Sequence, residues 1–170
     1  QNPGLGLYGA IIVGPEGATY TDPSTGDDLA QASSWAADVH PAEGPGYRDF
    51  ALFLQEEDEV LGTAIMPYSE AVAGVVGLNY EAEPFETRLE TDPDVARVYD
   101  VARHGDPSTP VLRAFAGDAV RIHVMVPHGE QNHVFTIEGH QWPLEPAMAG
   151  SDLVSSVQVG PVETLNIILD

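Results

Sequence analysis

Four of the six histidines, His123, His128, His133 and His140, fall in the run RIHVMVPHGEQNHVFTIEGH, with Glu130 among them. Imidazoles and carboxylates at this density are the ligand types of a metal site. If the run is two strands, alternation places His133 on one face with Phe135 and Ile137, toward a core. His133 also begins its strand, near one end of the sheet. A core-facing imidazole there can ligate a metal while staying close to solvent. It can equally be a hydrogen-bonded structural histidine, and the spacing leaves both open. His123 falls on the polar side with Arg121 and Met125 and reads as a surface group. The chain has no cysteine, which removes disulfides, thiolate nucleophiles, zinc fingers, iron–sulfur clusters and Cys-ligated copper within it.

The elements that must position these side chains are strands. Residues 119–126 (AVRIHVMV) alternate, with Val120, Ile122, Val124 and Val126 on one face. Residues 132–139 (NHVFTIEG) alternate as well, residues 153–159 follow, and residues 162–169 carry the apolar stripe Leu165, Ile167, Leu169. Upstream, residues 7–13 (LYGAIIV), 50–54 (FALFL) and 74–80 (GVVGLNY) are apolar strand candidates. Residues 96–101 are a weaker one, and 111–115 lead into a Gly117-Asp118 turn. Residues 15–46 form a polar arm in which only 30–37 suggests a short helix. Short strands with turn-rich joints, 17 glycines and 14 prolines predict an all-β antiparallel sandwich or barrel.

At 170 residues the chain can bury one substantial core. All six of its bases are arginine, against 27 acids, for a formal net charge of -21. Such a surface repels phosphate backbones and anionic lipid, which argues against nucleic acid as a partner. No apolar run approaches the roughly 18 residues of a membrane span, so none is expected. No signal peptide is visible; a secreted protein would have lost its leader before Gln1.

Other chemical signals are weak. Gly4-x-Gly6-x-x-Gly9 matches a dinucleotide fingerprint without its strand and helix. Asp22, Asp27 and Asp28 lack the spacing of a calcium loop, and residues 56–59 (EEDE) are most simply a charged turn.

Residues 116–146 (AGDAVRIHVMVPHGEQNHVFTIEGHQWPLEP) resemble the strand–loop–strand of multicopper oxidase cupredoxin domains, in which a Gly-Asp turn opens an Arg-bearing strand and the next carries H-x-F-x-I-x-G. Residues 4–13 (GLGLYGAIIV) are similar to the last strand of a preceding cupredoxin domain, and 47–54 (YRDFALFL) to the first strand of the following one. Residues 77–85 (GLNYEAEPF) and 104–110 (HGDPSTP) are similar to intervening segments of bacterial members. The resemblance implies residues 1–14 as the end of a preceding domain, 15–46 as a linker arm, and 47–170 as a cupredoxin-like Greek-key β-sandwich lacking its last copper loop and strand, incomplete without strands from another segment or chain. It implies copper as the cofactor of the complete protein, other cupredoxin domains or chains of the same oxidase as partners, and a small reducing substrate or metal ion. It also implies an extracellular, periplasmic or cell-surface location.

The family's last-domain motif is H-P-x-H-x-H-G-H. Aligned on Gly139, His133 takes the type 1 copper position, while Thr136 and Glu138 stand where the trinuclear cluster takes imidazoles. His140 matches the histidine after the glycine. His133 is the ligand that the resemblance carries over; His128 and His140, from the same histidine cluster, complete the metal-ligand candidates, with at most a partial site in this chain and a mainly architectural share in the oxidase. Two alternatives remain. A mononuclear cupin-type centre could use His128, Glu130 and His133 for iron or manganese, although the H-x-H pair of cupins is missing. A metal-free β-sandwich could act as a binding or assembly module.

Overall fold

The computed structural model describes residues 7–29, 34–55, 77–79, 81, 83, 85–129 and 131–169. Among the described residues ten strands and few helical turns make an all-β protein, in which a six-stranded sheet is backed by two short antiparallel pairs. The sheet contains β1 (Thr19–Thr21), β2 (Ala36–His40), β3 (Tyr47–Gln55), β4 (Gly77–Leu78), β5 (Val120–His128) and β10 (Thr164–Leu169). Its path runs β1-β2-β3-β5-β10, with β4 beside β3. The second layer pairs β6 (His133–Thr136) with β9 (Ser156–Val159), and β7 (Trp142–Pro143) with β8 (Leu153–Val154).

Strands β3 and β5 form the centre because both carry bulky apolar side chains at alternate positions. They pair in parallel, Phe50 with Ile122 and Leu52 with Val124. On the far side of β5, antiparallel β10 brings Ile167 to Ile122 and Leu165 to Val124. Phe50, Ile122 and Ile167 thus form one apolar row across three strands. Trp142 is fully buried against this face, and Phe135, Ile137, Val154 and Val157 pack on it from the second layer. A parallel pair needs a long crossover. Part of it is helical: α1 (Phe85–Thr91), a 3-10 turn at Val95–Arg97 and α2 (Val101–His104). Buried Arg88 ties this crossover together, its Nη1 donating to the Val98 carbonyl at 3.1 Å and its Nη2 to Glu83 Oε2 at 2.9 Å.

Pairing between β3 and β5 slips after Phe53–Met125 and resumes at Gln55–His128. Strand β5 spends two residues there, Val126 and Pro127, against Leu54 alone. Proline has no N–H to give a ladder, so a bulge is where it belongs in a strand.

The other edge of β3 is shared end to end. Strand β2 covers Tyr47 to Phe50, the Ala51 N–H donates to the Trp35 carbonyl, and β4 covers Leu54 and Gln55. Asn79 fills the gap with its side chain: Oδ1 accepts from the Phe53 N–H at 2.7 Å and Nδ2 donates to the Ala51 carbonyl at 2.9 Å. Asn79 holds φ 52, a left-handed conformation that Asn tolerates well.

Several sequence expectations differ from this architecture. The stretch 15–46, expected to be an arm, supplies β1 and β2. Strand β2 pairs with β3 across the short connection at 41–46, and β1 pairs in turn with β2, so both lie toward one edge of the sheet, which the polar composition of the stretch hides. Ala36 and Ala37 lie in β2 rather than a helix, and residues 30–33 lie outside the described residues. Residues 7–13, strand-like by composition, join no ladder among the described residues. The candidate at 96–101 is helical turn instead, because Asp94 and Asp100 cap it through the Ala96 and Ala102 N–H groups. Of 74–80, Gly77 and Leu78 are strand and Asn79 a turn, whereas 74–76 and Tyr80 lie outside the described residues.

Candidate functional site

Strand β6 opens with His133, half-buried and paired with Val159, and its Nε2 is enclosed. It lies on the same side as Phe135 and Ile137, both packed on the core, as the period-two pattern requires. Val134, pointing the other way, is exposed. His128 ends β5, half-buried and in register with Gln55. His140 is exposed beyond the Glu138-Gly139 turn, where Gly139 takes φ +78 and the imidazole Nδ1 lies 3.1 Å from the Glu138 carbonyl oxygen. Thr136 and Glu138 are exposed as well. Among the described residues no three His, Asp or Glu side chains converge on a common point that could hold a metal ion, and Glu130 lies outside them.

The chain's donors do not fit a blue-copper centre. Such a centre needs a thiolate beside two imidazoles, and the sequence contains none.

A different polar cluster forms on the outer face of the sheet. His123 stands directly between Ala51 of β3 and Asn166 of β10. The small Ala51 leaves the ring free to lean toward Asp49, one step along β3 on the same face. Its Nδ1 lies 2.7 Å from Asn166 Oδ1, and its Nε2 lies 2.9 Å from Asp49 Oδ1. The second contact is an ion pair while the ring is protonated. Two oxygens facing both ring nitrogens call for two N–H groups, which only the imidazolium has. The contact with Asp49 accordingly raises the His123 pKa above the ordinary value, against the opposing effect of burial, with Asn166 adding to the rise. Asp49 itself is buried, at 8% relative exposure. Beside the pair, the Arg121 guanidinium sits over the Tyr47 ring, 3.7 Å from its centroid.

Residues 7–14 cross this outer face. The Tyr8 ring lies 5.2 Å from that of Phe53, and its hydroxyl donates to Gln55 Oε1 at 3.1 Å. Between this stretch and strands β2 and β3 lies an aromatic cleft of about 660 Å³, bordered by Tyr8, Tyr20, Trp35, Phe50, Phe53 and Asp49. Trp35 stacks on Phe50 at 5.8 Å.

The acidic loop at residues 22–28 is used structurally. Asp22 Oδ1 accepts from the Ser24 N–H and hydroxyl and from the Thr25 N–H. These bonds, led by the Ser24 hydroxyl, hold its pKa below the usual carboxylate value.

The His123–Asp49–Asn166 cluster is the feature that strand-by-strand reading missed. The signal was present, since Asp49 stands just ahead of the apolar run 50–54, at the parity of Ala51 and Phe53. Joining it to His123 requires the parallel register of β3 and β5, which no local pattern encodes.

No protein-family model matches the chain, and no curated protein matches it in sequence.

Proposed function

We propose that the chain is a cupredoxin-like, mainly architectural segment of a secreted multicopper oxidase. The complete protein would take single electrons from a small reductant or a metal ion and pass them through copper to dioxygen, forming water. The observation supporting this reading most is His133 itself. It is an enclosed imidazole opening a second-layer strand, on the side that packs against a sheet with a central parallel β3–β5 pair. That is where the resemblance puts the first ligand of a type 1 centre. With no thiolate and with Thr136 and Glu138 in place of imidazoles, the rest of any copper centre belongs to other segments or chains.

Purification of the protein with whatever polypeptides accompany it, followed by copper analysis and dioxygen uptake with phenolic and metal-ion reductants, tests the reading. Copper together with uptake, with copper reduced by His133→Ala, supports it. A copper-free assembly that consumes no dioxygen overturns it in favour of an assembly module, and tightly held iron or manganese points to the cupin-type alternative.

A further inference from the structure

The stretch over the outer face has an unusual construction. Tyr8 fastens one end to Phe53 and Gln55. At the other end Gly14 approaches Tyr20 so closely that a Cβ would lie 2.2 Å from the hydroxyl oxygen and would have to displace it. Between them Ala10, Ile11, Ile12 and Val13 roof a cavity of about 320 Å³ whose floor is His123, Met125, Thr164 and Asn166. Ile11 and Val13 are 94% and 89% exposed, whereas Ile12 is 41% exposed. The roof carries no titratable side chain and joins no ladder among the described residues, so packing is what seats it.

We propose that residues 7–14 form a pH-governed strap, seated while the His123 imidazolium faces the Asp49 carboxylate and lifted when the ring is neutral. The groups around the ring are Asp49 from β3, Arg121 from β5, already over Tyr47, and the uncharged Asn166 and Thr164 from β10. A neutral imidazole has one N–H for two oxygens. Deprotonation therefore sets a lone pair against an oxygen and leaves a buried carboxylate without its countercharge. Such a carboxylate draws water. The cavity beneath the strap adjoins the ring and has room for it. Water there replaces the apolar packing under Ile12, and the strap loses its seat. Because the folded protein favours the protonated ring, the seated form belongs to the acid side of the titration and the lifted form to the alkaline side. A swing of Arg121 from Tyr47 to Asp49, its register partner, would supply the charge instead and keep the strap down. The inference is independent of copper.

The lack of cysteine makes a direct test possible. Alkylation rates of Ile12→Cys and of the exposed control Ile11→Cys are measured at a series of pH values, and their ratio cancels the intrinsic effect of thiolate formation. The Cε1 proton resonance of His123 marks its titration in the same samples. The ratio is expected to rise at least about threefold as the ring loses its proton. In an added Asp49→Asn background, with no carboxylate to rehydrate, it should stay low and flat. An added His123→Gln should hold it high and flat wherever that variant retains the circular dichroism of the parent. A ratio that stays constant while the resonance titrates overturns the strap, as does a pH response that survives Asp49→Asn.

Discussion

The imidazole of His123 meets the carboxylate of Asp49 at 2.9 Å across the parallel strands β5 and β3, on the face turned away from the main core. Because folding raises the histidine pKa, the stabilisation is fully present below the ordinary imidazole value of about 6.5 and is lost as pH rises through the higher folded value. His123→Ala should cost about 2–3 kcal/mol near pH 6, since it strands a buried carboxylate. The cost should shrink above the folded pKa, where the parent has lost the charge too. Urea midpoints of parent and variant across pH decide it, and a gap that widens with pH contradicts the pairing.

Trp142 is fully buried, with its Nε1 making no hydrogen bond among the described residues. Removing its volume leaves a cavity against Ile122 and Ile167, so Trp142→Ala should cost about 3–5 kcal/mol. Trp142→Phe keeps a ring and sacrifices no polar contact, and about 1–2 kcal/mol is expected. Chemical denaturation of both variants checks the ordering.

Arg48 grips Asp38 with two bonds, Nε to Oδ1 at 2.7 Å and Nη2 to Oδ2 at 2.9 Å, and its Nη1 donates to the Arg113 carbonyl at 2.7 Å. One side chain thus clamps β2 to β3 and to the segment entering β5. Lysine cannot reproduce a planar fork, so Arg48→Lys should still cost about 1–2 kcal/mol. A lysine variant as stable as the parent would show the clamp to be energetically silent, as exposed pairs often are.

Val162 adopts φ 65 in the turn between β9 and β10 while its N–H donates to the Val126 carbonyl at 2.7 Å. A β-branched residue is strained there, and the side chain is exposed. Val162→Gly keeps the hydrogen bond and relieves the strain, for an expected gain of about 0.5–1 kcal/mol. A fall in thermal midpoint would contradict the strained turn.

What the sequence made legible follows from the range of each signal. Strands β5, β6 and β10 announced themselves because alternation is local: Val120, Ile122, Val124 and Val126 are all buried, and Phe135 lies on the core side. The parity of His133 was readable for the same reason. Strands β1 and β2 were not, since Thr19–Thr21 and Ala36–His40 are short, and β2 takes its place from the edge of β3 and β1 from that of β2. The reverse error occurred at residues 7–13, where an apolar β-prone run joins no ladder among the described residues. His123 read as a surface group because Asp49, its partner, lies 74 positions upstream and reaches it only through parallel register.

The visible spectrum of the purified chain loaded with Cu²⁺, taken alone and then in its native assembly, bears most directly on the proposed role. The account expects no intense blue absorption from the chain by itself, and a blue band in the assembly that weakens when His133 is replaced by alanine. An intense blue band from the isolated chain, or an assembly whose copper spectrum ignores His133, would contradict it.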